Sequence, residues 1–230
     1  MSAASLVEVP APSTPPEVYP ACMEYDSAGT PVQQVFLVRH GETEWSLNGR
    51  HTGSTDLPLT EHGREAARRL EAVFAREQFT LVLTSPLRRA RSTCSLAGLS
   101  ELCETDADLH EWDYGDFEGL TMAEIQARAP GWNLFTDGCP HGERPEQVGA
   151  RVDRVIDRVR SAHGHVALFA HGHVFRVLAA RWIGLVPSAG QHFLLDTATV
   201  NILTYYRDVP AIKRWNAPLD PPAGDRLEDA

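Results

Sequence analysis

The sequence predicts an α/β domain of three layers, α/β/α, in which a doubly wound, mainly parallel sheet is closed by a C-terminal antiparallel hairpin. Three observations carry this prediction. Residues 35–38 (VFLV), 80–84 (TLVLT) and 166–170 (VALFA) are short apolar runs of the length and β-branched content expected of strands buried on both faces. Segments of helical periodicity separate them, and strand–helix alternation builds parallel pairs with helices on both faces. The apolar stretches Val200–Tyr206 and Ala211–Trp215, set around Asp208-Val209-Pro210, read as the hairpin.

The helices follow from their end signals. Thr60 can cap a helix in which Ala66, Ala67, Leu70, Val73 and Phe74 share one face. Pro86 suits the first turn of a helix reaching Leu96, because its missing N–H has no partner there anyway. Pro145 opens a long helix with Val148, Val152, Val155, Ile156 and Val159 on one stripe and Gly164 at its end. Its Arg151, Arg154 and Arg158 read as a solvated face shared with Asp153 and Asp157. A last helix runs from Val174 to Trp182, stopped by Gly184 and Pro187. The folded domain is expected over residues 33–217. Residues 1–32 form a Pro-, Ala- and Ser-rich tail in which Met23 is an alternative start, and 218–230 form a second tail.

Composition excludes several classes. A formal net charge of −10 argues against general nucleic-acid binding, which requires a basic face. It leaves room for a small anionic substrate held by a local cluster of Arg and His. No run approaches the roughly 18 uncharged apolar residues of a membrane span. The N-terminus lacks the basic and apolar regions of a secretory signal. Cys22, Cys94, Cys103 and Cys139 show no CxxC spacing, which points to reduced thiols and a cytoplasmic protein rather than a disulfide framework or zinc site.

In doubly wound sheets ligands bind beyond the carboxyl ends of the strands. The first run ends in Arg39-His40-Gly41-Glu42-Thr43, the second in Ser85-Pro86-Leu87-Arg88-Arg89-Ala90, and the third in His171-Gly172-His173. Two histidines and at least two arginines therefore meet on one edge. Arg offers planar bidentate donors to phosphate oxygens, and neutral His offers a nucleophilic nitrogen. Gly41 and Gly172 would let backbone approach a ligand. Arg88 and Arg91 read as surface residues, and Trp112, Phe117, Trp132 and Trp182 as packing. Grouped carboxylates for a two-metal site and a GxxxxGK loop are both missing, so neither a metal nor another cofactor is expected.

These blocks, with Leu109-His110-Glu111-Trp112-Asp113-Tyr114-Gly115 between the second and third, resemble the histidine phosphatase superfamily in its order. The resemblance covers residues 35 to about 205. It implies that His40 is the nucleophile, that Arg39, Arg89 and His171 clamp the phosphoryl oxygens, and that Glu111 is the acid and base. It implies substrate contacts at Ser46, Thr52, Gly53 and Tyr114. Ser46 stands where many relatives carry Asn, and its hydroxyl has a shorter reach. The closest sub-pattern, Thr43-Glu44-Trp45-Ser46 with residues 111–119, is similar to a branch of bacterial acid phosphatases and a fungal sedoheptulose-bisphosphatase.

The reading is a metal-independent hydrolase of small phosphorylated metabolites. Its rivals are a phosphoglycerate mutase and a silent phosphate-recognition module. A mutase must keep water from a phosphohistidine under a basic cover, yet residues 112–142 hold one arginine, Arg128, no lysine, and several acids including Asp113, Asp116, Glu118 and Glu124. That cover is expected to repel a bisphosphate. A silent module has no use for a positioned acid such as Glu111.

Overall fold

The computed structural model describes residues 32–219. The tails assigned to 1–32 and 218–230, with Cys22 and Met23, fall almost wholly outside these residues.

Six strands form one sheet: β1 Val35–Arg39, β2 Phe79–Thr84, β3 Cys103–Thr105, β4 His165–Ala170, β5 Val200–Tyr206 and β6 Val209–Ala217, in the order β3-β2-β4-β1-β5-β6. The first four in that order run parallel, and β5 and β6 are antiparallel, as the sequence predicts. The hairpin turns at Arg207 and Asp208, with φ of 49° and 67°. Positive φ at both central residues is the two-residue geometry that matches strand twist. Val209 and Pro210, expected in the turn, therefore belong to β6.

Among the described residues seven α-helices accompany the strands: α1 Glu44–Leu47, α2 Glu61–Phe74, α3 Arg88–Leu96, α4 Met122–Arg128, α5 Leu134–Asp137, α6 Pro145–Ser161 and α7 Gly172–Trp182. Thr60 caps α2 by accepting from Gly63 N, and Pro145 occupies the first turn of α6. Pro86 lies just before α3, whose cap is Leu87.

Alternation along the strands splits the core in two. Phe36, Val38, Val82, Ala167 and Phe169 face α2 and α3 through Leu70, Phe74 and Cys94. Val35, Leu37, Leu83, Val166 and Leu168 face α6 and α7 through Val152, Val155, Phe175 and Leu178. Trp112, Phe117, Trp132 and Trp182 are buried in this second layer. Among the described residues no helix is long and apolar enough to cross a membrane.

Candidate active site

Strand pairing builds the site. β1 and β4 pair in parallel with Arg39 opposite Ala170, so the next residues, His40 and His171, leave the sheet side by side. His40 N donates to Ala170 O at 2.9 Å, and the two imidazole centroids stand 5.2 Å apart. His40 Nδ1 lies 2.8 Å from Gly41 O. A carbonyl only accepts, so Nδ1 carries the proton and Nε2 keeps its lone pair. Burial, then the charges of Arg89 and Arg39, push the His40 imidazole well below its usual range. The ring is neutral, in a fixed tautomer that leaves the Nε2 lone pair free.

Gly41 holds this turn in place. Its N–H donates to Thr93 Oγ1 on α3, and a Cβ there would meet Gly63 O at 2.4 Å. Its bare face is thus needed against α2, not for approach to a ligand. Gly172 does face the open side, where a Cβ would meet Arg39 Nε at 3.3 Å.

A cavity of about 180 Å³ opens over His40, with Arg39, Ser46, Thr52, Glu111 and Tyr114 in its wall. Arg39 donates Nη1 to Leu195 O, and its buried Nε has no hydrogen-bond partner. A buried guanidinium donor without an acceptor is costly unless an anion supplies one. Glu111 Oε1 accepts from Trp112 N and Val174 N, and Oε2 from His173 N. Two of these donors belong to the N-terminal turn of α7. Tyr114 Oη and His173 Nδ1 are 2.5 Å apart.

A family model described as the histidine phosphatase superfamily (branch 1) matches residues 35–218. The chain belongs to this family. It is 40% identical over 184 residues to sedoheptulose 1,7-bisphosphatase of Saccharomyces cerevisiae, a match covering 65% of this chain and 67% of that protein. It is 37% identical over 180 residues to an acid phosphatase of Mycobacterium tuberculosis, covering 76% and 88%. The solved structure of the Mycobacterium tuberculosis open reading frame Rv3214 superposes with a TM-score of 0.78 at 35% identity, covering 82% of this chain and 99% of that one.

In this histidine phosphatase, Arg89 and His171 lie behind the cavity wall. Arg89 donates Nε to His171 Nδ1, Nη1 to Thr55 O, and Nη2 to Thr52 O and Gly53 O. His171 then donates Nε2–H to Ser85 Oγ at 2.7 Å. Both residues are fully buried. In this state Arg89 ties the 52–55 loop and the second histidine together rather than reaching into the cavity.

Two expected substrate contacts are engaged locally. The Ser46 hydroxyl donates to Thr43 O and accepts from Thr43 N, closing a capping box at α1. Gly53 lies outside the cavity, and its N–H donates to the Glu118 carboxylate. Thr52 reaches the wall, although its hydroxyl donates to Arg50 O.

Asp113, Asp116, Glu118, Glu124 and Asp137 of the phosphatase's 112–142 segment all lie outside the cavity wall. Glu118 accepts from Gly53 and Thr55, Glu124 caps α4 and pairs with Arg50, Asp116 meets His141, and Asp113 accepts from Gly115 N. Among the described residues Glu111 is the one acid in the cavity wall. Conversely, Arg50, His51, His173 and Arg176 line the cavity. Arg176 sits five residues beyond His171, one turn and a half along α7, and stacks over Phe135 at 4.6 Å. That spacing from the second histidine was the available signal for it.

Arg151 corrects the sequence reading most sharply. It is buried, not solvated. It donates Nη1 to Asp108 O and His110 O and Nη2 to Glu111 O, and pairs with Glu143 at 2.8 Å. Glu143 in turn accepts from Asp113 N, and its carbonyl from Trp112 Nε1. The pair clamps the loop that carries Glu111. Arg154 and Arg158 are exposed as expected, but pair with Asp108, Asp106 and Glu104 across the fold rather than along α6.

Proposed function

We propose that this phosphoric monoester hydrolase acts on phosphomonoesters of small sugar-like metabolites, through a phosphohistidine at His40 and without a metal. The observation that supports it best is the pairing of His40 Nε2, fixed with its lone pair free, with the unpartnered Nε of Arg39 in one cavity. In this reading Nε2 attacks phosphorus while Arg39 stabilises the charge growing on a phosphoryl oxygen. Glu111 gives its proton to the leaving oxygen, then takes one from the water that cleaves the phosphohistidine. His171 would meet a phosphoryl oxygen with the Nε2–H it otherwise donates to Ser85. In this reading Arg39 and the other arginines of the wall supply the positive charge, and among the described residues no group of three or more His, Cys, Asp or Glu could hold a metal ion.

The leaving group would occupy the wall formed by Arg50, His51 and Arg176. His51 Nδ1 donates to Leu120 O, which leaves Nε2 to accept from a substrate hydroxyl. A relative named for a sugar bisphosphate supports a polyhydroxylated substrate. A phosphate-release screen over sugar phosphates, glycerate phosphates and phosphorylated amino acids tests the reading. Rapid quench should trap acid-labile phosphate on the wild type. His40→Ala should keep the fold and less than about a tenth of the turnover. Formation of 2-phosphoglycerate from 3-phosphoglycerate faster than phosphate release would make the chain a mutase instead.

A further inference from the structure

Outside the active site the fold brings two thiols together. Cys94, in the last turn of α3, and Cys103, the first residue of β3, are free cysteines with their sulfurs 2.8 Å apart. Non-bonded sulfurs ordinarily stay farther apart, while a disulfide needs about 2.05 Å, so little further movement joins them. Cys94 is fully buried, whereas Cys103 is partly exposed. An oxidant arriving from solvent therefore meets Cys103 first, with Cys94 waiting behind it. Neither residue lines the cavity over His40, although Cys94 directly follows Thr93, which holds the Gly41 turn.

We propose that Cys94 and Cys103 form an oxidative modification site, closing to a reversible intramolecular disulfide in the presence of a hydroperoxide. The Cys103 thiolate attacks the distal peroxide oxygen, breaking the O–O bond and releasing water, or an alcohol from an organic peroxide. The Cys94 sulfur then attacks the resulting sulfenic acid, and its proton leaves with the hydroxyl as a second water. Two thiols lose two electrons and the peroxide gains them. The surroundings suit these unequal roles. The Cys94 thiol hydrogen-bonded to it, followed by the nearby Arg91 charge, holds Cys103 below the ordinary thiol range. The same bond, followed by burial, raises Cys94. Cys139 offers a comparison within the molecule: it is buried and pushed up to about 12 by burial, with no hydrogen-bonded thiol among the described residues.

The test uses the full chain carrying Cys22→Ser, exposed to hydrogen peroxide, quenched in acid, unfolded and alkylated. Trypsin leaves both cysteines on the one peptide between Arg91 and Arg128, but cleavage after Glu101 separates them. The expected product is a cross-linked pair of peptides, two hydrogens lighter, that dithiothreitol restores. It should form at least about tenfold faster than any oxidation of Cys139. In Cys94→Ala, Cys103 should instead accumulate a sulfenic acid that dimedone traps. Wild-type Cys103 carried to sulfinic acid while Cys94 stays alkylatable would overturn the proposal. So would both thiols surviving a dose that oxidises Cys139.

Discussion

Arg89 Nε stands 3.1 Å from His171 Nδ1, so the second histidine of the site is oriented by a guanidinium. A guanidinium only donates, which forces Nδ1 to accept and places the His171 proton on Nε2. A carboxylate in that place would have imposed the opposite tautomer. The first prediction follows. Arg89→Lys keeps the charge but loses the fork that also holds Thr52 O, Gly53 O and Thr55 O. Stability should fall by about 2–4 kcal/mol. Turnover should fall about a hundredfold. Urea unfolding and steady-state kinetics check this, and near wild-type values in both would remove the fork from the design.

Glu111 is held by three main-chain N–H groups. Glu111→Gln turns one amide NH₂ toward a donor and removes the transferable proton. Alkyl phosphates, whose leaving oxygens need protonation, should slow by about 10²–10⁴, and an activated aryl phosphate far less. Equal slowing of both ester types would take the acid role from Glu111.

Arg151 reaches the chemistry only through the loop it clamps. Arg151→Ala should cost about 3 kcal/mol, because Glu143 loses its guanidinium partner. Well below the new melting point kcat should still be depressed, more for alkyl than for aryl esters, since Glu111 loses its anchor. A variant that is less stable but has unchanged kinetics would show that the clamp serves the fold alone.

Three histidines around the site, His40, His171 and His173, give the phosphatase a pH signature. Burial, the first cause in each, pushes His40, His171 and His173 well below the usual imidazole range. Below about pH 6.5 the unfolded chain takes up protons that these folded rings refuse. Their contribution is therefore complete above that pH and is lost as pH falls through the window down to the depressed folded values. Each ring adds a slope of up to about 1.4 kcal/mol per pH unit there. Urea midpoints at pH 7.5 and 5.5 should differ accordingly, and His173→Phe should shrink the difference. The same depression predicts that kcat/KM does not fall between pH 7 and 6 through loss of the His40 lone pair.

Prolonged dialysis against a chelator should leave turnover unchanged if, as proposed, Arg39 and the other arginines of the wall, Arg50 and Arg176, supply the positive charge. A loss that magnesium or zinc restores would contradict the proposed chemistry.

Much of this was legible from residue order. The three apolar runs fix the parallel strands, and the residues just past them are the ones that meet, because pairing Arg39 with Ala170 leaves His40 and His171 no other place. What stayed hidden depended on contacts distant in sequence or very local. β3, three residues long, and α1 and α5, four each, are too short for periodicity to register. Arg151 sits in a row of charges at helical spacing, which looks solvated until the loop at 108–111 folds over it. Ser46 and Gly53 carry the right types at the right places, yet nearby backbone and Glu118 occupy their polar groups.

The order β3-β2-β4-β1-β5-β6 has a consequence for biosynthesis. Both neighbours of β1 come late: β4 begins at His165 and β5 at Val200. At ordinary rates of translation the strand that leads into His40 waits on the order of ten seconds for either partner. During that time its apolar run has no sheet to join, and β2 has only the three residues of β3 beside it. A ribosome stalled before residue 165 therefore holds a nascent chain with an exposed apolar segment and no site, which is a client for chaperones. The last third of the message decides at once whether the first third folds and whether it can work.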